Sequence, residues 1–224
     1  MALSLWAMYR VRSVYNHYSQ IPAASGATGA EVACAILDRA GIHDVKIVEI
    51  EETLGDYYDP YEKRLALCSA NYHGRSLAAL GVSAHECGHA IQHHIAYAPL
   101  HWRVAAVGVT NIANQVIMWL PIIGVMTQMI SIYTATWIMA VAWGIVMLFN
   151  LITLPVEFDA SARAKIILAD MGYIGTPEEI AGVKKTLDAA GWTYVAAFIT
   201  SFGYFLYHLL PLLLGGRNRD EENS

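Results

Sequence analysis

The order of apolar and polar positions divides the chain into a short apolar start, a patterned stretch, three long uncharged runs and a polar end. Residues 2–9, ALSLWAMY, are apolar, yet as helix they reach only ~12 Å, against a hydrocarbon core of ~30 Å. Arg10 and Arg12 come after that run and no small-residue cleavage site follows, the reverse of a secretory signal. Residues 1–24 therefore read as an interfacial helix running to about Tyr18, or as a truncated membrane helix.

From residue 25 to residue 103 the pattern is that of a soluble fold. Thr28-Gly-Ala-Glu31 is a capping box that opens the helix GAEVACAILDRA, and Gly41 stops it. Residues 44–50, DVKIVEI, alternate in strand fashion, and RLALCS at 64–69 reads as a second strand. Between them EETLGDYYDPYEK is turn-rich around Asp59-Pro60. The acidic residues Glu49, Glu51, Glu52, Asp56 and Asp59 read as a solvated face. A long helix is expected from about Ser76 to Tyr97, ending before Pro99. Gly81 and Gly88 inside it each cost about 1 kcal/mol, which predicts close packing against another element.

Residues 104–127 and 130–154 contain no charged residue, and each run is long enough to cross a bilayer. Only a short stretch around Thr127–Ser131 separates them, so they predict a helical hairpin. Asn111, Asn114 and Gln115 lie in the first limb and suit hydrogen bonding between helices. Trp119 and Trp137 fit interfacial anchors loosely. Pro155 is expected to open a new amphipathic helix, PVEFDASARAKIILADMG. Thr176-Pro-Glu-Glu179 starts a further short soluble helix, so 155–192 form one more polar stretch. Residues 193–214 make a third apolar span, and 215–224 a polar, disordered tail.

Composition supports this division. The chain is 56% hydrophobic and 15% charged, against about 25% charged in soluble domains, so a membrane protein is indicated. A net charge of −5 without a basic stripe speaks against nucleic acid as a partner. Three unpatterned cysteines suggest reduced thiols facing cytosol. Of the fourteen Lys and Arg residues, all but Arg217 and Arg219 flank the patterned stretch rather than the hairpin turn or the tail. The positive-inside rule then predicts a multi-pass protein of the cell membrane with its polar part on the cytoplasmic side. No pattern sets an oligomeric state.

The chemistry is concentrated in His85-Glu86-Cys87-Gly88-His89, an H-E-x-x-H motif. Residues four apart share a helix face about 6 Å apart, so His85 and His89 can reach one Zn2+ ion. Glu86 sits roughly 100° round the helix, where it suits activation of a zinc-bound water. Cys87 points away and reads as a small packed residue. A catalytic zinc needs a third protein ligand. His93 and His94 lie ~12 Å up the helix axis, too far to close the site. Glu157 is the best candidate, because two spans return the chain to the same membrane surface. Asp159 and His73 are weaker alternatives. Arg163, His73, Tyr97 and Tyr173 are candidate donors to an oxyanion. The strand at Leu65–Ser69 is a candidate edge for holding an extended substrate. The sequence also leaves open a non-catalytic zinc-binding membrane scaffold, and a hydrolase of a small membrane-associated amide.

YHGRSLAALGVSAHECGHAIQHHIAYAPL, then PVEFDASARA after a membrane hairpin, together with TGAEVACAILDRAGIHDVKI and YYDPYEKRLALCS upstream, resemble the YugP-like neutral zinc metallopeptidases. That resemblance covers nearly the whole chain from about Ser13. It implies a gluzincin-type zinc metallopeptidase of the membrane that cleaves peptides or proteins. His85, His89 and Glu157 would be the metal ligands and Glu86 the catalytic residue. The implied fold is mainly α, with a small α+β zincin-like domain and a transmembrane hairpin inserted between the H-E-x-x-H helix and the third-ligand helix. The layout is also similar to the HtpX-like and CAAX-prenyl proteases, where a Glu-x-x-x-Asp motif supplies the third ligand. Here Ser161 stands four after Glu157, which leaves the partner of a zinc histidine unassigned.

Overall fold

Apolar and capping signals that lie close together in sequence form the elements they predict. The computed structural model describes residues 2–51, 55–127 and 130–215. α1 (Ala2–Tyr18) lies on the last helix, with Trp6 edge-on to Trp192 at 6.3 Å between ring centroids and the Ser4 hydroxyl 3.1 Å from that of Thr200. α2 (Gly29–Arg39) carries the full capping box of Thr28 and Glu31. Gly41 follows its end at φ +70°, a left-handed position suited to glycine.

β1 (Lys46–Ile50), β2 (Tyr57–Asp59) and β3 (Arg64–Cys68) form one sheet in the order β1-β3-β2. β1 runs parallel to β3, pairing Lys46 with Arg64 and Ile50 with Cys68. β2 runs antiparallel to β3, pairing Tyr57 with Ala66 and Asp59 with Arg64. β3 is therefore the central strand, which its unbroken apolar run Leu65–Cys68 suits because all four residues are buried. This corrects the expectation of a substrate-holding edge at Leu65–Ser69: both flanks of β3 are occupied, and the outer strands are β1 and β2, the latter a three-residue strand inside the stretch expected to be turn. A short α3 (Ser69–Tyr72) leads to α4 (Leu77–His94), which Ser76 caps through the Ala79 N–H.

Three long helices complete the fold: α5 (Ala98–Thr127), α6 (Ile132–Asp170) and α7 (Pro177–Gly215). α6 continues through Pro155, so no new helix begins there. The missing N–H costs a helix about 3 kcal/mol, and here it is offset by packing on both sides of the proline. Likewise α7 runs unbroken from the expected soluble helix into the expected span. Its cap is Thr176, whose hydroxyl accepts the Glu179 N–H while the Glu179 carboxylate accepts the Thr176 N–H. The boundaries expected near 154 and 192 thus fall inside helices. The polar tail and Arg217 and Arg219 lie outside the described residues.

The core gathers Val32 and Ile36 of α2, Leu65 and Leu67 of β3, Leu80 of α4, Leu168 of α6 and Val183 of α7. α5, α6 and α7 are each long and apolar enough to cross a membrane. Among the described residues Gln115 of the first limb bonds within its own helix, accepting a hydrogen bond from Trp119 at 3.0 Å. Between α6 and α7, the Asn150 amide donates to the Ser201 hydroxyl at 3.0 Å.

Candidate metal centre

The site forms where α4 crosses α6. A Cβ on Gly88 would lie 2.8 Å from the Ala160 carbonyl oxygen and 3.0 Å from its Cα. Only glycine lets the two backbones come this close, which explains its cost in the helix interior. Gly81 has no such reason, since a Cβ there would meet Val183 and Leu187 at 3.5 and 3.9 Å, ordinary contact distances. Cys87 packs as expected, buried with its thiol toward the Ala33 carbonyl of α2.

Across this crossing, His85 and His89 meet Glu157. Their rings are 4.8 Å apart between centroids. Both Nε2 atoms face one carboxylate oxygen: Glu157 Oε2 lies 3.2 Å from His85 Nε2 and 3.6 Å from His89 Nε2. One ligand atom from each of the three residues lies within 4.8 Å of the others, so the cluster is positioned to bind a metal ion. Two imidazole nitrogens and a carboxylate oxygen suit zinc, and the surroundings fit it as well. His85 Nδ1 is 3.1 Å from the Ser161 hydroxyl, and His89 Nδ1 is 3.0 Å from Gln92 Oε1. Such partners on Nδ1 leave Nε2 to ligate. Ser161 is thus the partner of His85 that the sequence left unassigned.

Gln92 is fixed in turn. Its Nε2 donates to the Val156 carbonyl and to Asp159 Oδ2, both at 2.8 Å. Asp159 also accepts from Arg163 Nε at 2.6 Å, so it belongs to the frame and not to the ligand cluster. Glu157 Oε1, the oxygen turned away from the histidines, accepts from Arg103 Nη1 at 2.8 Å. Glu157 sits mid-helix and almost fully buried, with Arg103 and the two histidines as its partners rather than a helix N-terminus.

Glu86 is buried, and that burial pushes its carboxyl above the usual carboxylate range. It lines two cavities of about 250 and 290 Å3 that meet at His85, Glu86 and Glu157. One is walled by α1, α4, α6 and α7. The other lies between β2, α4 and α5, with Tyr57, Tyr58 and Arg103 in its wall. Asp56 lines both cavities and is not part of a solvated face. It accepts the Cys68 N–H and the Asn71 amide, each at 2.8 Å, and burial raises its carboxyl above the usual range.

Other sequence candidates lie elsewhere. His73 forms an exposed pair with Glu49 at 3.3 Å, and His93 faces the Tyr58 hydroxyl at 2.8 Å. Arg163, Tyr97 and Tyr173 are not among the described residues that line either cavity, whereas Tyr194 lines both and Arg103 one. Gln92, three residues after His89, carried a readable signal, since i and i+3 share a helix face. Arg103 and Tyr194 carried none, because their places depend on how α5 and α7 pack.

The family described as "putative neutral zinc metallopeptidase" matches residues 1–213. This chain belongs to that family. The "putative membrane protease YugP" of Bacillus subtilis (strain 168) is 40% identical over 220 residues, covering 98% of this chain and 96% of that protein. No solved structure matches. Zinc is therefore the cofactor of the family, and His85, His89 and Glu157 are the residues positioned to bind it.

Proposed function

We propose that the protein is a membrane-embedded, zinc-dependent metalloendopeptidase of gluzincin type that cleaves membrane or membrane-associated proteins. The observation that carries this reading is the convergence of His85, His89 and Glu157 at the junction of two cavities, with the buried carboxyl of Glu86 facing both. Zinc, when held there, supplies a Lewis acid that makes water acidic near neutral pH and stabilises developing negative charge. Glu86 takes a proton from the water that adds to the scissile carbonyl. It then gives that proton to the amine that leaves as the C–N bond breaks. Ser161 and Gln92 orient the histidines, and Arg103 holds Oε1 of Glu157, which leaves Oε2 facing the histidines. Of the possible oxyanion donors, Arg163, His73, Tyr97 and Tyr173 are not among the described residues that line the cleft, and in this reading Arg103 or Tyr194, which do line it, takes that role. The outer edge of β2 takes the substrate-holding role expected of β3.

In this reading α5, the first half of α6 and the second half of α7 cross the membrane, and the zinc side faces the cytoplasm. The excess of Lys and Arg on that side supports the orientation. The deciding experiment compares wild type with Glu86→Gln in detergent. Cleavage should vanish in the variant while elemental mass spectrometry still finds one zinc per chain. Cleavage by Glu86→Gln at the wild-type rate would overturn the role of Glu86.

A further inference from the structure

The two cavities that meet at Glu86 differ in kind, and the difference bears on which peptide bonds are cut. The cavity beside β2 is mixed, with Tyr57, Tyr58 and Arg103 beside Leu100, Val104 and Val107. The one beneath α1 is walled by Val11, Val82, Leu187, Ala190 and Gly191. Away from Glu86 and the metal cluster, most of its polar side chains are engaged by the protein itself. The Tyr15 hydroxyl donates to Asn71 Oδ1 at 2.7 Å. The Asp56 oxygens accept the Cys68 N–H and the Asn71 amide. Thr186 donates to the Gly182 carbonyl at 3.0 Å, and Thr193 to the Ala190 carbonyl at 2.6 Å. Ser161 is paired with His85.

A polar side chain entering this cavity would lose its water and find these groups already committed, which costs free energy. An apolar side chain would lose nothing and gain burial. The volume of about 250 Å3 falls below the roughly 300–1,000 Å3 of small-molecule sites, so it suits one bulky side chain rather than a whole ligand. We propose that the cavity walled by Val11, Val82, Leu187 and Ala190 is the specificity pocket of the protease, accepting a large aliphatic or aromatic residue on one side of the scissile bond. The other side of the bond lies in the mixed cavity by β2, whose arginine and tyrosines stand beside aliphatic side chains and so accept polar and apolar residues alike. The inference rests on the peptidase reading above. It gives α1 a part in specificity, since Val11 and Tyr15 close the pocket.

The test uses the full chain in detergent and a set of quenched fluorescent peptides that differ only at the two residues flanking one bond. Leu and Phe at one flanking position should exceed Ser and Asp there in kcat/KM by about 10–200-fold, the range that a hydrophobic pocket supplies. The other flanking position should show no such ratio. Ala190→Phe on α7 and Val11→Phe on α1 each fill the pocket and should bring the ratio close to one, with one zinc per chain retained. A ratio near one in wild type overturns the proposal while leaving the peptidase reading in place. So does an unchanged ratio in a folded, zinc-loaded variant. Should neither variant fold, the wild-type ratio alone decides. Failure of zinc-loaded wild type to cut any of the peptides or denatured protein overturns the peptidase reading, and the pocket with it.

Discussion

The two halves of α6 follow opposite rules. Before Pro155 the helix turns apolar side chains outward: Ile132 is 88% exposed, Val141 58% and Leu148 52%. After Pro155 it buries Val156, Ala160, Ala164 and Leu168 together with Glu157 and Ser161. In the first half one apolar face stays uncovered by the protein; in the second a carboxylate sits almost out of reach of solvent with the three partners named above. Large exposed apolar surface needs an apolar surrounding, and a buried charge needs compensation. One helix thus meets lipid along half its length, in the membrane reading, and holds a zinc ligand along the other. A rigid connection between them fixes the metal centre relative to the bilayer.

The largest way to break this comparison is to remove the charge that defines the second half. Glu157→Ala leaves two histidines, and a catalytic zinc site needs three protein ligands. Zinc should fall from one per chain to none after gel filtration, as measured by elemental mass spectrometry. Full retention of zinc would place the third ligand elsewhere. The reciprocal change adds a charge to the first half. Val141→Arg should cost about 2.5–3.5 kcal/mol at the centre of a membrane helix. It should lower the share of protein that resists alkaline extraction from membranes, whereas Val141→Leu should not. Equal behaviour of the two variants would argue that this face of α6 does not meet lipid.

The parts legible in sequence are those written in local patterns. Thr28 with Glu31, and Thr176 with Glu179, mark helix starts within four residues. The i, i+4 spacing of His85 and His89 specifies two ligands on one face, and two apolar runs of spanning length return the chain to Glu157. What stayed hidden was set by packing. β2 is only three residues long and exists because β3 offers it an edge. Pro155 and the boundary near residue 192 look like breaks because local rules disfavour continuing. Helix contacts decide otherwise: a Cβ on Gly191 would meet Phe158 of α6 at 3.2 Å. Arg103 reaches Glu157 across 54 residues, and no local pattern announces it.

Sharper discrimination comes from the groups that orient the histidines. Gln92 is fully buried and joins three groups: His89, the Val156 carbonyl and Asp159. Gln92→Leu keeps the approximate volume and removes all three bonds. The His89 ring then loses its fixed tautomer, and Asp159 keeps only Arg163. Zinc affinity, measured by competition with a chelator, should fall about 10–100-fold, the usual effect of removing such a partner. An affinity equal to wild type would mean that the helix alone orients His89.

Ser161 should matter less, although its hydroxyl touches a histidine at nearly the same distance. Ser161 lines the pocket beneath α1, so in Ser161→Ala a water molecule can take the place of the hydroxyl at His85 Nδ1. No such replacement can reach His89, because Gln92 has no exposed surface. Zinc affinity in Ser161→Ala should therefore fall by roughly 10-fold or less, at the weak end of the range for such partners. The order of the two variants is the informative quantity. A greater loss in Ser161→Ala than in Gln92→Leu would mean that solvent does not replace the lost partner, and that the second half of α6 is drier on its pocket side than on the side of Gln92.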